Sequence, residues 1–278
     1  MHLIAHGGVG SPREMDKYVQ KAIEKGFSEG MNAFEAVIGV VKELENEPKF
    51  NAGTGSRMRL DGSIQMDAAV HYKEEVGSIA AIEKVKNPIE VAKHVYESPF
   101  VMLAGNDSTK FARDMGYVEY DPSTEKRREE LEEMKEKLKG SEGTDRIEKL
   151  REFYRKVDGG DTVGCVAYID GEFAAAVSTG GTNYCMRGRV GDSPLIGCGF
   201  YAGEHGAIVT TGKGEEIIKR MTAKKCYDLI PEIGIEKACK QVIKDYPDDV
   251  SIGVIAVDET GVASADNRDM SQAELKIK

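Results

Sequence analysis

The sequence predicts a layered α+β fold. Three observations carry that reading: strand patterns come in neighbouring pairs, helix patterns also come in pairs, and 278 residues with 40% hydrophobic content can bury a sizeable core. Strict strand-helix alternation, the mark of a parallel sheet, does not run through the chain. No internal repeat divides it.

The opening HLIAH reads as a strand, followed by a glycine turn and two helices. Pro12 stands near the start of the first helix, and Asn32 with Glu35 forms a capping box for the second, MNAFEAVIGVVKELENE. A glycine-rich loop, NAGTGSRMRLDGS, comes next, and the alternating segments IQMDAAVHY and GSIAAIEKV suggest paired strands. Residues 87–116 give two short helices joined by a turn.

Residues 121–158 are dense in Lys, Arg and Glu, with Leu131, Met134 and Leu138 as a thin helical stripe. A solvated helix or flexible linker between two halves is expected there. After it, TVGCVAYID and GEFAAAVSTGG meet at IDGE, the strongest hairpin signal in the chain. GAIVTTGKGEEIIKRMTAKKCYDLI runs from a strand into a helix, and VSIGVIAVDETGVASAD supplies another strand pair.

A formal charge of -10 would repel nucleic acid and anionic membrane, so a small-molecule or peptide partner is expected. The N-terminal MHLIAHGGVG has no basic region and no signal-length apolar run, and no later stretch reaches membrane-spanning length. A cytoplasmic location is expected. Cys165, Cys185, Cys198, Cys226 and Cys239 show no CxxC spacing, and no two histidines stand at HExxH or HxH spacing. These patterns favour neither a disulfide framework nor a catalytic metal.

Three glycine-rich loops, HGGVG, NAGTGS and TGKGEE, invite a phosphate reading, yet none carries the spacing of a Walker A motif. Gly197, Gly199 and Ala202 fit GxGxxA, but a proline precedes them and no helix pattern follows. Backbone approach to something small and anionic fits these glycines better. A Ser/His/Asp hydrolase is not favoured either, because there is no GxSxG elbow and no histidine placed as an evident base.

Threonine remains. Its hydroxyl is a poor nucleophile without a base, and one solution is the α-amine of the same residue, which titrates near pH ~8. For Thr162 this requires a cut between Asp161 and Thr162, giving a new chain that begins TVGCVAYID. By β-propensity alone, a threonine opening a strand is ordinary.

The segment GGDTVGCVAYIDGEFAAAVSTGGT, followed by RGRVGDSPLIGCGFYAG and TTGKGEE, resembles the threonine-dependent N-terminal nucleophile hydrolases of the plant-type asparaginase, isoaspartyl peptidase and glycosylasparaginase family. IAHGGVG, FNAGTGS, KNPIEVAKHV and VMLAGNDSTKFA extend the similarity over nearly the whole chain. The resemblance implies one domain over residues 1–278, a four-layer αββα sandwich. It also implies self-cleavage into residues 1–161, which include the charged segment, and residues 162–278, which stay together.

It further implies Thr162 as nucleophile, its freed amine as base, and Thr179 as the neighbour that positions them. Thr211 and Gly212 match an oxyanion pair, where one donor is typically worth ~10²-fold or more in rate. Arg189 and Asp192 match a clamp on a substrate's α-carboxylate and α-ammonium, Gly214 completes that pocket, and Asn51 stands near the reaction centre. A zwitterionic head needs a cation and an anion close together, and these two residues are three apart around a turn.

The implied reaction is hydrolysis of the side-chain amide of L-asparagine, or of β-aspartyl dipeptides, through an acyl-threonine and without a cofactor. The resemblance also implies a structural sodium ion on loop carbonyls near NAGTG and a dimer of αβ pairs. The chain has no tryptophan to stack on a glycan-linked substrate. Glycosylasparaginase, threonine endopeptidase and an uncleaved amino-acid-binding relative stand as alternatives.

Overall fold

The computed structural model describes residues 1–140, 143–156 and 162–275. Seven strands form the larger sheet: β1 (His2–Val9), β2 (Met66–Tyr72), β3 (Glu75–Ile82), β4 (Met102–Ala104), β5 (Val163–Ile169), β6 (Glu172–Thr179) and β11 (Met270–Glu274). Their order is β11-β1-β5-β6-β2-β3-β4. Four strands form the smaller sheet: β7 (Phe200–Gly203), β8 (Gly206–Gly212), β9 (Ile252–Asp258) and β10 (Gly261–Asp266), in the order β10-β9-β8-β7.

Both faces of the central strands are buried, which is why they read as nearly continuous apolar runs. Cys165 and Ala167 of β5, with Ala174 and Ala176 of β6, face a core shared with α1 (Asp16–Gly26), α2 (Ala33–Glu45) and α3 (Pro88–Tyr96). On the opposite face Val166, Ala175 and Val177 pack against Phe200, Val209, Ile255 and Val257 of the smaller sheet. The far face of that sheet, through Ile208, Val254 and Ala256, meets α8 (Thr222–Ile233) and α9 (Ile235–Lys244). A short helix, α7 (Gly214–Arg220), leads out of β8 into α8.

Local signals in the sequence account for the boundaries. Asn32 accepts the Glu35 amide at 2.9 Å while Glu35 accepts the Asn32 amide at 3.1 Å, a cap worth ~1 kcal/mol. The β5–β6 turn is Asp170-Gly171, with φ of 52° and 84°, as a tight two-residue hairpin requires. It sets the register from Ile169 opposite Glu172 down to Val163 opposite Ser178.

The charged segment is helical, one of the two forms expected of it, but it is not wholly solvated. It forms α5 (Glu125–Leu138) and α6 (Gly143–Lys156), and Leu131, Met134 and Leu138 are buried in the helix-side core. Arg127 donates to the Gly55 carbonyl at 2.9 Å, and the Tyr184 hydroxyl donates to the Glu130 carbonyl at 3.0 Å. A sparse stripe is enough because three apolar side chains on one face meet an existing core. Between α3 and α4 (Gly105–Asp114) the expected turn contains β4, parallel to β3. Strand β11 and helix α9 add elements that the sequence patterns had not marked.

Glu45, the last residue of α2, ties the helix layer to β6. Its Oε1 accepts the Ser178 hydroxyl at 2.6 Å and the Ile89 amide at 2.9 Å, and its carbonyl accepts the Thr54 amide at 2.9 Å. Complete burial pushes its carboxyl from 4.5 up to about 8, so the folded chain holds a proton that the unfolded chain releases. Stability from this group is full below about pH 4.5 and declines as pH rises towards 8, by up to ~1.4 kcal/mol per unit. Glu45→Gln, neutral at every pH, should therefore unfold at a higher temperature than the parent at pH 8, with the gap closing at pH 5. Thermal melts of both proteins across that range check this, and parallel pH dependences would overturn it.

Candidate active site

The hairpin register brings the two threonines together. Val163 pairs with Ser178, so Thr162, the residue just before β5, comes beside Thr179 at the end of β6. The Thr162 hydroxyl donates to Thr179 Oγ1 at 3.1 Å, and the Gly181 amide donates to the same oxygen at 3.0 Å. Both side chains are buried. Asp161, the other side of the expected cleavage bond, lies outside the described residues.

Asn51 holds the loop after β6 from behind. Its carbonyl accepts the Gly180 amide at 2.8 Å, its Nδ2 donates to the Gly181 carbonyl at 2.7 Å, and its Oδ1 accepts the Arg57 amide at 2.8 Å. The side chain is fully buried and turned to main chain, which makes it a support of the Gly180-Gly181 turn.

Thr162, Thr179, Gly181 and Thr182 line one side of a narrow pocket whose other walls are Arg189, Gly191, Asp192, Ser193, Gly212 and Gly214. Gly214, where α7 begins, separates the two charged groups. A Cβ there would sit 2.8 Å from Asp192 Oδ1 and 2.9 Å from Arg189 Nη2, so only glycine leaves room at this point. Gly212 has φ 149°, and a Cβ there would run into the Ser251 carbonyl.

Of the expected oxyanion pair, Gly212 reaches the pocket wall. Thr211 is fully buried, and its hydroxyl accepts the Val9 amide at 3.3 Å. The sequence-predicted residues thus converge, with Thr211 and Asn51 set behind the lining.

The charges are poised unequally. Arg189 Nε donates to Glu215 Oε1 at 3.0 Å, and its Nη2 is 2.9 Å from the same oxygen. Burial works against the guanidinium charge, and Glu215 with Asp67 more than offsets it, so Arg189 stays cationic. Asp192 is buried beside the Thr210 hydroxyl at 3.3 Å, and burial raises its carboxyl to about 7 against the pull of Arg189. An arriving ammonium would stabilise the ionised form.

Three contributors had weak sequence signals or none. Glu215 follows directly on the TGKG motif, and Thr182 on STGG. Asp67, in β2 opposite Thr179, is fully buried and accepts the Ala81 amide at 2.7 Å. Among the described residues, no three His, Cys, Asp or Glu side chains gather as a metal-binding group, and no helix is long and apolar enough to cross a membrane.

The family model described as Asparaginase matches residues 2–275. A plant-type L-asparaginase of Pyrococcus abyssi is 41% identical, the match covering 99% of this chain and 96% of that protein. One of Thermococcus kodakarensis is 40% identical with the same coverage. The isoaspartyl peptidase/L-asparaginase of Mus musculus is 35% identical over 99% of this chain and 87% of its own. With the match running nearly end to end, this chain belongs to the asparaginase family.

Proposed function

We propose that the protein is an amidohydrolase that cleaves the side-chain amide of L-asparagine and of β-aspartyl dipeptides, with Thr162 as nucleophile. The observation that carries this is one narrow pocket in which the Thr162 hydroxyl, 3.1 Å from Thr179, shares its walls with a half-buried Arg189 and a buried Asp192. The relatives' names, plant-type L-asparaginase and isoaspartyl peptidase/L-asparaginase, support the same substrates. The arrangement of helices on the outer faces of two packed sheets supports the four-layer αββα sandwich of N-terminal nucleophile hydrolases.

The precursor is inert until it cuts itself. The Thr162 hydroxyl adds to the Asp161 carbonyl, the acyl group shifts from nitrogen to oxygen and so frees the α-amine, and water hydrolyses the ester to release the Asp161 carboxylate and the Thr162 hydroxyl. In turnover that amine takes the hydroxyl proton while Thr162 Oγ1 attacks the substrate's β-carbonyl. The tetrahedral oxygen is stabilised by Thr211 and Gly212, ammonia or an amine leaves with the proton, and water clears the acyl-threonine. Arg189 and Asp192 hold the α-carboxylate and α-ammonium, which fixes the reach to the β-carbonyl.

No cofactor takes part. A structural sodium ion on main-chain carbonyls of a loop near the NAGTG segment belongs to this proposal, on the family resemblance. The mature enzyme is a cytoplasmic dimer of αβ pairs.

Two measurements test the reading. Intact mass and N-terminal sequencing of purified protein should give a fragment beginning Thr-Val-Gly-Cys, whereas Thr162→Ala should remain one chain and lose roughly 10⁶-fold in kcat. A persistent single species in the parent after warm incubation would overturn self-activation.

In the pH profile of kcat/KM for L-asparagine, activity should drop below about pH 7 as Asp192 takes up a proton. The kcat profile should lack that limb, since bound ammonium keeps Asp192 ionised, and should show only the limb of the Thr162 amine. Coincident profiles would remove Asp192 from ammonium binding.

A further inference from the structure

The largest wholly buried side chain in the described structure is a cation that lies outside the pocket lining, Arg59. Burying a guanidinium costs several kcal/mol unless hydrogen bonds and counter-charge offset it. Its contacts show what the charge is spent on. Nη2 donates to the Gln65 carbonyl at 2.9 Å and to the Arg189 carbonyl at 3.3 Å, and Nη1 donates to Cys185 Sγ. Against Gly181 the packing is so close that a Cβ there would lie 2.7 Å from Nη1. Burial drives the Asp67 carboxyl towards its neutral form, and Arg59 and Arg189 both act against that, favouring the charged form that would serve as their counter-charge.

The guanidinium therefore touches two loops that must stay in register. One is the turn at Gly181, whose amide binds Thr179 Oγ1. The other carries Arg189. Neighbouring bonds fasten the same loops from below: the Tyr184 amide to the Met58 carbonyl at 2.9 Å, the Leu60 amide to the Cys185 carbonyl at 3.2 Å, and the Gly188 amide to Gln65 Oε1 at 2.7 Å. These bonds fix the backbone of residues 184–188, and the Arg59 guanidinium reaches from Cys185 and the Arg189 carbonyl across to Gly181 of the nucleophile turn.

We propose that Arg59, with Asp67 as its counter-charge, is a positioning residue that sets the distance between the Thr162–Thr179 pair and the Arg189 clamp. The inference rests on the proposed amidohydrolase reading and deepens it. The distance it holds is the one that separates a β-amide from a γ-amide, so Arg59 governs discrimination between asparagine and glutamine. A planar fork reaching three acceptors at fixed angles does this where a flexible ammonium or an apolar chain cannot.

The test uses the self-cleaved holoprotein and two variants, Arg59→Met, close in volume, and Arg59→Lys, which keeps the charge beside Asp67. Mass analysis first establishes whether each variant cleaves, and L-asparagine turnover by the parent tests the underlying reading separately. The expected result for Arg59→Met is a KM for L-asparagine raised ~10-fold or more with kcat changed far less. Its binding of L-aspartate, measured by calorimetry, should weaken in parallel, and the asparagine-to-glutamine ratio of kcat/KM should narrow.

Arg59→Lys should recover part of each effect, and it carries the test alone if Arg59→Met does not fold. Parent-like KM, L-aspartate affinity and substrate ratio in the folded variants would overturn the proposal. So would an equal loss of kcat on both amides with KM unchanged, the signature of a merely structural residue.

Discussion

The contact between the Thr162 hydroxyl and Thr179 Oγ1, at 3.1 Å, depends on a constraint set at the other end of the same hairpin. A two-residue turn at Asp170-Gly171 locks β5 and β6 in register, and a slip of one residue would exchange the faces of every side chain in both strands. Since each face of the hairpin is buried in a different core, that slip is forbidden by packing on both sides. The site inherits its accuracy from the two layers that squeeze it.

The rest of the pocket is built around that fixed end. Asn51 pins the turn after β6, β8 brings Gly212 to the wall, and α7 opens with the glycine that separates Arg189 from Asp192. Each of these comes from a distant part of the chain. Polar groups of the site are concentrated where the strands end, whereas the space between the sheets is filled mainly by apolar side chains, with a few polar ones such as His71 accepting the Ala202 amide at 3.0 Å.

Buried charge is the second theme. Glu45, Asp67 and Asp192 are all driven towards the neutral form by burial, and Arg59 and Arg189 stay inside with acidic partners or carbonyls. Such groups cost stability, and here they cluster beneath and around the pocket, where charges are only weakly screened by water.

Much of this was legible in the sequence, for local reasons. The capping box at Asn32, the hairpin at IDGE and the paired strands follow from residue types at fixed short spacings, and the motif order around Thr162, Thr179, Arg189, Asp192 and Gly214 marked one pocket. What the sequence left open was decided by packing over long separations. The stripe of Leu131, Met134 and Leu138 is too sparse to declare itself core until a core stands opposite it. Residues 270–274 have no strand signature apart from the edge of β1 that they pair with. Arg59 looks like any surface arginine until Gly181, Cys185 and the Arg189 carbonyl close around it. Periodicity and turn chemistry are properties of neighbours along the chain, whereas burial of a charge depends on which distant segments fold over it.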